Sequence, residues 1–320
     1  MLAGNFFLFI IHLFRWEGPC MKRMISLALI MIAVLTGVWG AERVPTDTLK
    51  VGMMPAVDSA PFFYALQEGI FTEYGVDVEL ILFTNAQNRQ TALQTGQIDG
   101  AMTDLVALIT NVSSGFALKG TLSTDGLFPL LARSPLDSGS RISIGLMEIS
   151  VTNYLVSYFL EPQYELERVF INEIPARLEA LAAGRIDSGI FPEPFASIGE
   201  LRGLEKLIFE HPAESMNLIA FTDASLKGRG NAIMRFHQAY RRAVSEIIQD
   251  PELARRVIMD SIPNLPPEAA PRITLPHYTP PSLPEDNFIQ EIITWTEAVT
   301  GKEHPVHPDD LVDRSFLRGL

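Results

Sequence analysis

RQTALQTGQIDGA, residues 89–101, is followed 88 positions later by RLEALAAGRIDSG, residues 177–189. Arg, Ala-Leu, Gly and Ile-Asp coincide in the two copies without a gap. In each copy an apolar run precedes a polar loop and a helix-patterned segment, and a second apolar run follows Ile-Asp. A Gly can take the left-handed conformation that ends a helix, and a short apolar run suits a buried parallel strand. The chain therefore carries one strand, loop, helix, strand unit twice, which predicts two α/β lobes with a site between them.

The sequence around the repeat extends both lobes with alternating strands and helices. Such alternation predicts mainly parallel sheets covered by helices on both faces. The predicted strands are residues 49–53, 76–83, 100–102, 118–122, 127–132, 142–146 and 216–221. Long helices are predicted over residues 235–249 and 288–299. Residues 262–284 hold eight of the 22 prolines, so this segment is predicted to wrap the surface without one regular element.

The order of these elements predicts where the chain passes between lobes. Residues 134–140, SPLDSGS, are rich in turn formers and are the predicted link. The predicted organisation is a leader over residues 1–40, lobe one over 41–135 and 216–320, and lobe two over 136–215. A chain that leaves lobe one and later returns to it has two crossovers, which is a hinge geometry.

Charge and cysteine content exclude several classes of function. The formal net charge is −13, and phosphate binding needs clustered Lys and Arg, so nucleic acid is not an expected partner. Cys20 is the only cysteine and lies ahead of the segment interpreted as a leader. Thiolate catalysis and Cys-based metal sites are therefore excluded for the mature chain, and we expect neither a cofactor nor a metal ion.

A leader is predicted from the sequence that follows Met21. Lys22 and Arg23 precede an apolar run over residues 24–38, and small residues follow, which is the layout of a secretory signal peptide. A membrane anchor is the alternative, but spanning takes about 18 apolar residues and this run is shorter. Cys20 lacks a lipobox. We therefore expect a start at Met21 and a soluble periplasmic protein, present as a monomer.

Four longer motifs carry a family resemblance. They are MMPAVDSAPFFYALQEGIFTEYGVDVEL (53–80), ALQTGQIDGAMTD (92–104), LEALAAGRIDSGIFPEPFAS (178–197) and HQAYRRAVSEIIQDPELA (237–254). These motifs resemble solute-binding proteins of ABC importers, in the branch that serves nitrate, sulfonates, taurine and thiamine-pyrimidine precursors. The resemblance covers nearly all of residues 49–317. It implies the two-lobed periplasmic-binding-protein fold of type II, which closes on one small molecule and presents it to a membrane permease and its ATPase.

The candidate ligand-binding residues lie in loops after strands, because ligands of parallel α/β sheets bind outside the carboxyl ends of the strands. For the polar residues the alternative is capping or turn formation, and for Phe62 it is the core. The candidates are Asp58, Ser59, Phe62, Thr84, Asn85, Gln87, Thr103, Asp104, Ser123, Thr124, Glu148, Ser150, Val151 and Thr152.

The resemblance adds two further expectations about the site. The turn over residues 150–152 is expected to donate main-chain N–H groups to the ligand, as a helix N-terminus favours anionic groups. Glu193, in Phe191-Pro192-Glu193-Pro194, matches a Glu-Pro motif that the family places at the cleft. Pairing of Glu193 with an Arg across the hinge is the alternative.

The repeated charged residues are assigned to the scaffold. Asp99 and Asp187 precede their strands and so lie at the end opposite the cleft. Arg89 and Arg177 lie in the helix-patterned segments and are interpreted as surface residues or partners of nearby acids.

The class of ligand is predicted from the charges in the candidate loops. These loops contain several Asp and Glu residues and no Arg or Lys, whereas an anion that leaves water must have its charge met. A neutral or cationic nitrogenous heterocycle, such as a thiamine-precursor pyrimidine, is therefore the first choice. A sulfonate, taurine or nitrate is the alternative, because main-chain donors cannot be seen in the sequence.

Two other functions compete with solute transport. Pyrimidine-synthase-like and menaquinone-pathway enzymes share the fold, and fold does not settle function. The chain lacks the cysteine-rich motif of the synthase, and the histidines fall outside the candidate loops, so no catalytic residue is predicted. A binding protein that docks on a sensory receptor is the third possibility, and the sequence does not separate it from a permease partner.

Overall fold

The computed structural model describes residues 48–209, 214–318 and 320. The predicted leader and its start at Met21 lie outside the described residues. Within the described residues, no helix is long and apolar enough to cross a membrane.

In this described part, ten strands form two sheets. In chain order they are β1 (Leu49–Met53), β2 (Val78–Leu82), β3 (Gly100–Asp104), β4 (Leu118–Thr124), β5 (Leu130–Ala132), β6 (Arg141–Leu146), β7 (Glu165–Phe170), β8 (Ser188–Ile190), β9 (Glu205–Leu207) and β10 (Asn217–Thr222). The predicted strands agree with these to within a few residues at each end. No strand is predicted over β9, an edge strand of 3 residues that carries little apolar pattern.

Helices cover these sheets. In chain order they are α1 (Ala60–Gln67), α2 (Ile70–Glu73), α3 (Ala86–Gln94), α4 (Leu105–Ser113), α5 (Val151–Phe159), α6 (Ile174–Ala182), α7 (Phe195–Leu201), α8 (Asp223–Gln249), α9 (Glu252–Ser261), α10 (Asp286–Thr300) and α11 (Pro308–Leu311). Short 3₁₀ turns also occur, over Val57–Ser59, Pro267–Arg272 and Arg314–Leu317. The proline-rich stretch holds no longer element than one of these turns, as its composition predicts.

The two sheets share one topology. The first has the order β2-β1-β3-β10-β4, and the second has the order β7-β6-β8-β5-β9. The first three strands of each order are parallel, and the fourth is antiparallel to both of its neighbours. The expected α/β class and two mainly parallel sheets are therefore confirmed, with one antiparallel strand inserted in each sheet.

The repeat forms β2-α3-β3 in the first sheet and β7-α6-β8 in the second. The glycine after each helix has a positive φ, 70° in the first copy and 71° in the second. Asp99 accepts a hydrogen bond from the N–H of Lys50 in β1 at 2.8 Å, and Asp187 accepts one from Ser143 in β6 at 2.9 Å. Each carboxylate thus ties the start of its strand to the neighbouring strand, which is the scaffold role predicted for it.

The passage from the first sheet to the second lies earlier than predicted. β5 belongs to the second sheet, so the connection is residues 125–129 and the predicted link over 134–140 follows it. The predicted boundary between residues 135 and 136 is therefore wrong. An apolar run indicates a strand but does not indicate which sheet the strand joins. The return passage to the first sheet lies between β9 and β10.

The long helix α8 starts twelve residues before its predicted start at residue 235. It contains one non-helical residue, Arg229, with φ −130° and ψ 22°. Gly228 and Gly230 flank this residue and weaken the helical pattern in the sequence. The Arg229 guanidinium donates to Asp99 at 2.9 Å, so the kink joins the helix to the repeat.

Helix α10 contributes to a core that is continuous between the sheets. Ile289 and Ile292 belong to the same buried apolar cluster as Leu108 of α4 and Leu155 of α5. The hydroxyl of Tyr154 in α5 donates a hydrogen bond to the carboxylate of Glu291 in α10 at 2.7 Å. One helix thus packs against elements of both lobes.

Candidate functional site

A cavity of about 70 Å³ lies between the two sheets. Elements of the first sheet form one wall, and the turn before α5 and the first turn of α6 form the other. This is the region outside the carboxyl ends of the parallel strands, where ligands of such folds bind. The predicted ligand-binding residues that line it are Asp58, Thr103, Asp104, Ser150, Val151 and Thr152.

Four other predicted residues lie behind the wall of the cavity and do not line it. The Ser59 hydroxyl donates to the carbonyl of Met54 at 2.7 Å. Phe62 is a core residue, since its ring lies 4.8 Å from that of Tyr240 and stacks on another buried ring. The backbone of Ser123 is held by the proline-rich segment, and the Thr124 hydroxyl donates to Asp58. Turn formation thus describes Ser59 and packing describes Phe62, whereas Ser123 and Thr124 lie in strand β4 and not in a turn.

The predicted residues after β2 and β6 also lie away from the cavity. Thr84, Gln87 and Glu148 are exposed. Asn85 is the N-cap of α3, where its side-chain oxygen accepts from the N–H of Asn88 at 2.7 Å. Capping is thus the observed role of Asn85, and the structure brings none of these four residues to the site.

Glu193 is buried behind the cavity with both carboxylate oxygens in use. One oxygen accepts from Lys206 at 3.0 Å and from the N–H of Thr274, and the other accepts from the N–H and hydroxyl of Ser197. Its side chain is completely buried, and that of Lys206 is 8% exposed. The expectation that Glu193 contacts the ligand is corrected: the carboxylate completes an internal ion pair with a Lys, and only the neighbouring Pro192 lines the cavity.

The two repeat arginines line the cavity, and their interpretation as surface residues is wrong. Arg89 is 6% exposed and Arg177 is completely buried. Each is the fourth residue of its helix, α3 or α6, and so lies in the turn that faces the cleft. Both arginines lie one turn beyond the loops that follow the strands, within the helices.

A glycine in the adjacent central strand makes room for each arginine stem. A Cβ on Gly52 of β1 would lie 3.2 Å from Cγ of Arg89, and one on Gly145 of β6 would lie 3.0 Å from Cγ of Arg177. The same Cβ atoms would also lie 2.8 Å from Cδ1 of Ile98 and 2.5 Å from Cδ1 of Ile186, the isoleucines of the two Ile-Asp pairs. The duplicated unit therefore builds the same arginine cradle twice.

Arg177 has unused hydrogen-bonding capacity. One Nη donates to the carbonyl of Ile171 at 2.6 Å, and the guanidinium carbon lies 5.1 Å from the ring centroid of Phe191. Nε and the other Nη are buried, and within the described residues they have no hydrogen-bond partner. Burial lowers the pKa of Arg177 to about 10, so the group is still cationic at neutral pH. A buried cation with free donors at a cavity wall is suited to an anionic group.

Arg89 and Asp104 line the wall that the first sheet forms, and the charge of each opposes the effect of burial on the pKa of the other. Asp104 is the N-cap of α4, where it accepts from the N–H of Ala107 at 2.9 Å. Burial raises the pKa of Asp104, while that hydrogen bond, the charge of Arg89 and the N–H of Val151 act to lower it. Burial lowers the pKa of Arg89 to about 10, and the charge of Asp104 is the largest effect that opposes the shift.

Asp58 is the second carboxylate in this wall. One oxygen accepts from the Thr124 hydroxyl and from the side-chain amide of Asn217, both at 2.9 Å. The other oxygen, Oδ1, is buried without a hydrogen-bond partner among the described residues, as is the hydroxyl of Thr103. Burial raises the pKa of Asp58, and the charge of Arg89 is the weakest of the effects that lower it.

Asp125 begins the connection between the sheets and is partly buried there. Its carboxylate accepts from the N–H of Thr279 at 2.8 Å and from the hydroxyl of the same residue at 3.0 Å. Burial raises its pKa to about 6. The folded protein therefore holds this proton more tightly than the unfolded chain does, and the stabilisation it provides is complete below about pH 3.8 and lost as pH rises through 6.

Asp125→Asn is expected to reduce that loss. Between pH 4 and pH 7.5 the free energy of unfolding of the variant should rise relative to wild type, by on the order of 2 kcal/mol. Chemical denaturation at the two pH values measures this difference. The exposed Asp137→Asn is the control and should follow wild type. An equal pH dependence in Asp125→Asn and wild type would show that Asp125 titrates normally.

Metal binding has no candidate site in the part of the chain that the structure describes. No group of three or more His, Cys, Asp or Glu side chains there could hold a metal ion.

Comparison with known proteins supports the predicted resemblance. The model of the NMT1-like family matches residues 42–130, which include β1 to β4 and Arg89. No curated protein sequence matches the chain.

Solved structures with the same fold include binding proteins of import systems. A ligand-binding component of an ABC-type import system from Staphylococcus aureus, with zinc bound, has a TM-score of 0.68 at 18% identity and covers 85% of this chain and 98% of its own. The alkanesulfonate-binding protein SsuA from Xanthomonas axonopodis pv. citri, bound to MOPS, has a TM-score of 0.62 at 18% sequence identity. The match covers 80% of this chain and 92% of that protein. The periplasmic nitrate-binding protein NrtA from Synechocystis PCC 6803 has a TM-score of 0.67 at 13% sequence identity. The match covers 86% of this chain and 88% of that protein. These likenesses confirm the predicted two-lobed fold.

Proposed function

We propose that this chain, with the fold of a periplasmic binding protein, is the extracytoplasmic solute-binding component of an ABC importer. Its lobes would close on one small molecule that carries an anionic group and present it to a permease and its ATPase. The match of residues 42–130 to the NMT1-like family and the binding proteins that share the fold support this proposal. Export through the predicted leader belongs to the same proposal.

Arg177 is the observation that carries the proposal. A buried, uncompensated cation is costly, because its hydration is lost and no fixed charge or acceptor replaces it. Arg177 lines the cavity, and two of its guanidinium nitrogens have no hydrogen-bond partner among the residues that the structure describes. An anionic ligand group supplies the missing acceptors, and a dry cavity strengthens that interaction.

The same observation revises the first choice of ligand. The candidate loops contain no Arg or Lys, which favours a thiamine-precursor pyrimidine, but two arginines reach the cavity from α3 and α6. A neutral or cationic heterocycle would supply no counter-charge to the Arg177 guanidinium. The volume of about 70 Å³ also lies well below the roughly 300 Å³ at which pockets for drug-sized ligands begin, which favours a ligand of few atoms.

Opening and closing of the cavity would use the two passages between the sheets. One of them is residues 125–129, and bending there would separate the walls that carry Arg89 and Arg177. A closed form selected by the ligand is what a permease would recognise.

A thermal-shift screen of the purified protein tests this function. A ligand that binds only the folded state raises the melting temperature with concentration. We expect saturable shifts with one or more small sulfonates, carboxylates or nitrate, and none with thiamine-pathway pyrimidines or riboflavin. Shifts with the heterocycles alone would contradict an anion-binding role for Arg177.

A further inference from the structure

Resting on the proposed function, we propose that Tyr154 of α5 and its partners Glu291 and Trp295 of α10 form a latch between the two lobes. The latch favours the closed form, with or without ligand, and so raises ligand affinity from outside the cavity. Two observations lead to this inference: the two helices are anchored to different sheets, and the helix that carries Tyr154 also lines the cavity.

Helix α5 is anchored to the second sheet. It follows β6 in the chain and precedes β7. Arg168 of β7 donates to the side-chain oxygens of Asn153 and Ser157 in this helix, both at 3.0 Å. The turn that begins α5, residues 150–152, lines the cavity. Movement of the second lobe would therefore carry the ligand-facing turn and Tyr154 together, because both belong to one helix.

Helix α10 is anchored to the first sheet. Asp286, its first residue, accepts from Arg314 at 2.6 Å, and Arg314 begins a 3₁₀ turn that packs against β4. Beyond the other end of α10, Nδ1 of His304 lies 2.7 Å from the hydroxyl oxygen of Ser113, the last residue of α4. A separation of the lobes would therefore leave α10 with the first sheet and move α5 away from it.

Tyr154 joins these two helices through a hydrogen bond and an aromatic contact. Its hydroxyl donates to Glu291 at 2.7 Å, and its ring meets that of Trp295 edge-on, with ring centroids 5.3 Å apart. Tyr154 is 4% exposed, whereas Tyr158, one turn further along α5, is 53% exposed. Among the described residues that line the cavity, none belongs to this contact, so it acts apart from the ligand.

The latch contributes to affinity because only the closed form holds the ligand between both walls. The apparent affinity of a ligand is reduced by the fraction of protein molecules that are in the competent form. Separation of the lobes would expose the ring of Tyr154 and exchange its hydrogen bond for one to water. Because Glu291 is exposed, the contribution of an ordinary hydrogen bond applies, which changes an equilibrium constant by about fivefold.

Tyr154→Phe keeps the ring and removes the hydroxyl. We expect it to weaken binding of a small anion by about fivefold, through faster dissociation and with an association rate constant within about twofold of wild type. Stopped-flow and calorimetric measurements would use methanesulfonate, acetate or nitrate, whichever gives the largest thermal shift. Tyr158→Phe, the same substitution one turn along the helix, is the matched control and should stay within about twofold of wild type. An unchanged dissociation rate in Tyr154→Phe would overturn the latch and leave the proposed function standing.

A double-mutant cycle tests whether Tyr154 acts through Glu291. Glu291→Ala removes the acceptor and should weaken anion binding by a similar factor. The double variant should then bind no more weakly than the weaker of the two single variants, because both substitutions remove one contact. Effects that multiply in the double variant would show that the two residues act separately and would overturn the assigned pair.

Trp295 allows the latch to be followed without ligand. Trp16 and Trp39 lie in the predicted leader, so Trp295 is the single tryptophan of the exported protein. We expect acrylamide to quench its fluorescence more strongly in ligand-free Tyr154→Phe than in wild type or Tyr158→Phe, since more of the molecules are open. Equal quenching in all three proteins would contradict the latch. Absence of binding by every anion would contradict the proposed function, and the quenching comparison would still decide whether Tyr154 joins the lobes.

Discussion

Arg177→Met is expected to weaken ligand binding by about 100-fold or more while leaving the ligand-free protein at least as stable as wild type. Loss of one partner from a buried, hydrogen-bonded charge pair costs about 2–5 kcal/mol of binding energy. Without ligand the buried guanidinium has two nitrogens without a hydrogen-bond partner among the described residues, and an apolar side chain of similar length avoids that cost. Calorimetry with the ligand that gives the largest thermal shift, together with chemical denaturation, measures both quantities.

The opposite signs of these effects separate a binding residue from a structural one. A structural arginine would lose stability with the substitution, because it would lose the bond to Ile171 and the contact with Phe191 without any gain. Arg185→Met, at an exposed position shortly after α6, is the matched control and should change neither quantity by more than about 0.5 kcal/mol. Unchanged affinity in Arg177→Met would remove the main support for the proposed function.

Glu193→Ala is expected to lower the free energy of unfolding by about 3 kcal/mol and to leave ligand affinity within about threefold of wild type. Removal of one member of a buried ion pair leaves the other charge without compensation, which typically costs about 3–5 kcal/mol. Lys206 retains Glu200 at 3.0 Å, so the lower end of that range applies. The N–H groups of Ser197 and Thr274 also lose their acceptor.

Glu200→Ala is the matched control for this prediction, because Glu200 pairs with the same Lys206 but is 30% exposed. We expect it to cost no more than about 1 kcal/mol. Affinity should be measured well below the melting temperature of each variant. A stable Glu193→Ala protein that binds ligand poorly would restore the interpretation of Glu193 as a ligand contact.

Local pattern was sufficient to predict most of the fold. The strand β1 has its predicted bounds, because polar and turn-forming residues mark its ends. Which strands pair with each other could be predicted less well from the sequence. The run over residues 127–132 contains Pro129, and its last three residues form β5, whose antiparallel partners lie far along the chain. Their identity depends on tertiary structure and cannot be seen in the run itself.

Part of the cavity lining could be predicted from the sequence. The two arginines that were not predicted carry the most information about the class of ligand. Asp58, Thr103 and Asp104 were found because they follow strands of a parallel sheet. Arg89 and Arg177 were missed because a charged residue on an amphipathic helix is usually exposed. One physical signal was present: an arginine in the first turn opposes the helix dipole, and the repeat contains it at the same position twice.

The helix α10 has a consequence for how the protein unfolds. Because Ile289 and Ile292 join an apolar cluster that includes residues of both lobes, loss of either lobe would expose surface that the other depends on. We therefore expect the two sheets to melt in a single cooperative transition, although hinged proteins often lose their lobes one after the other. Ligand bound between the sheets would then protect the backbone amides of the entire folded unit from hydrogen exchange through global unfolding, including those of strands far from the cavity.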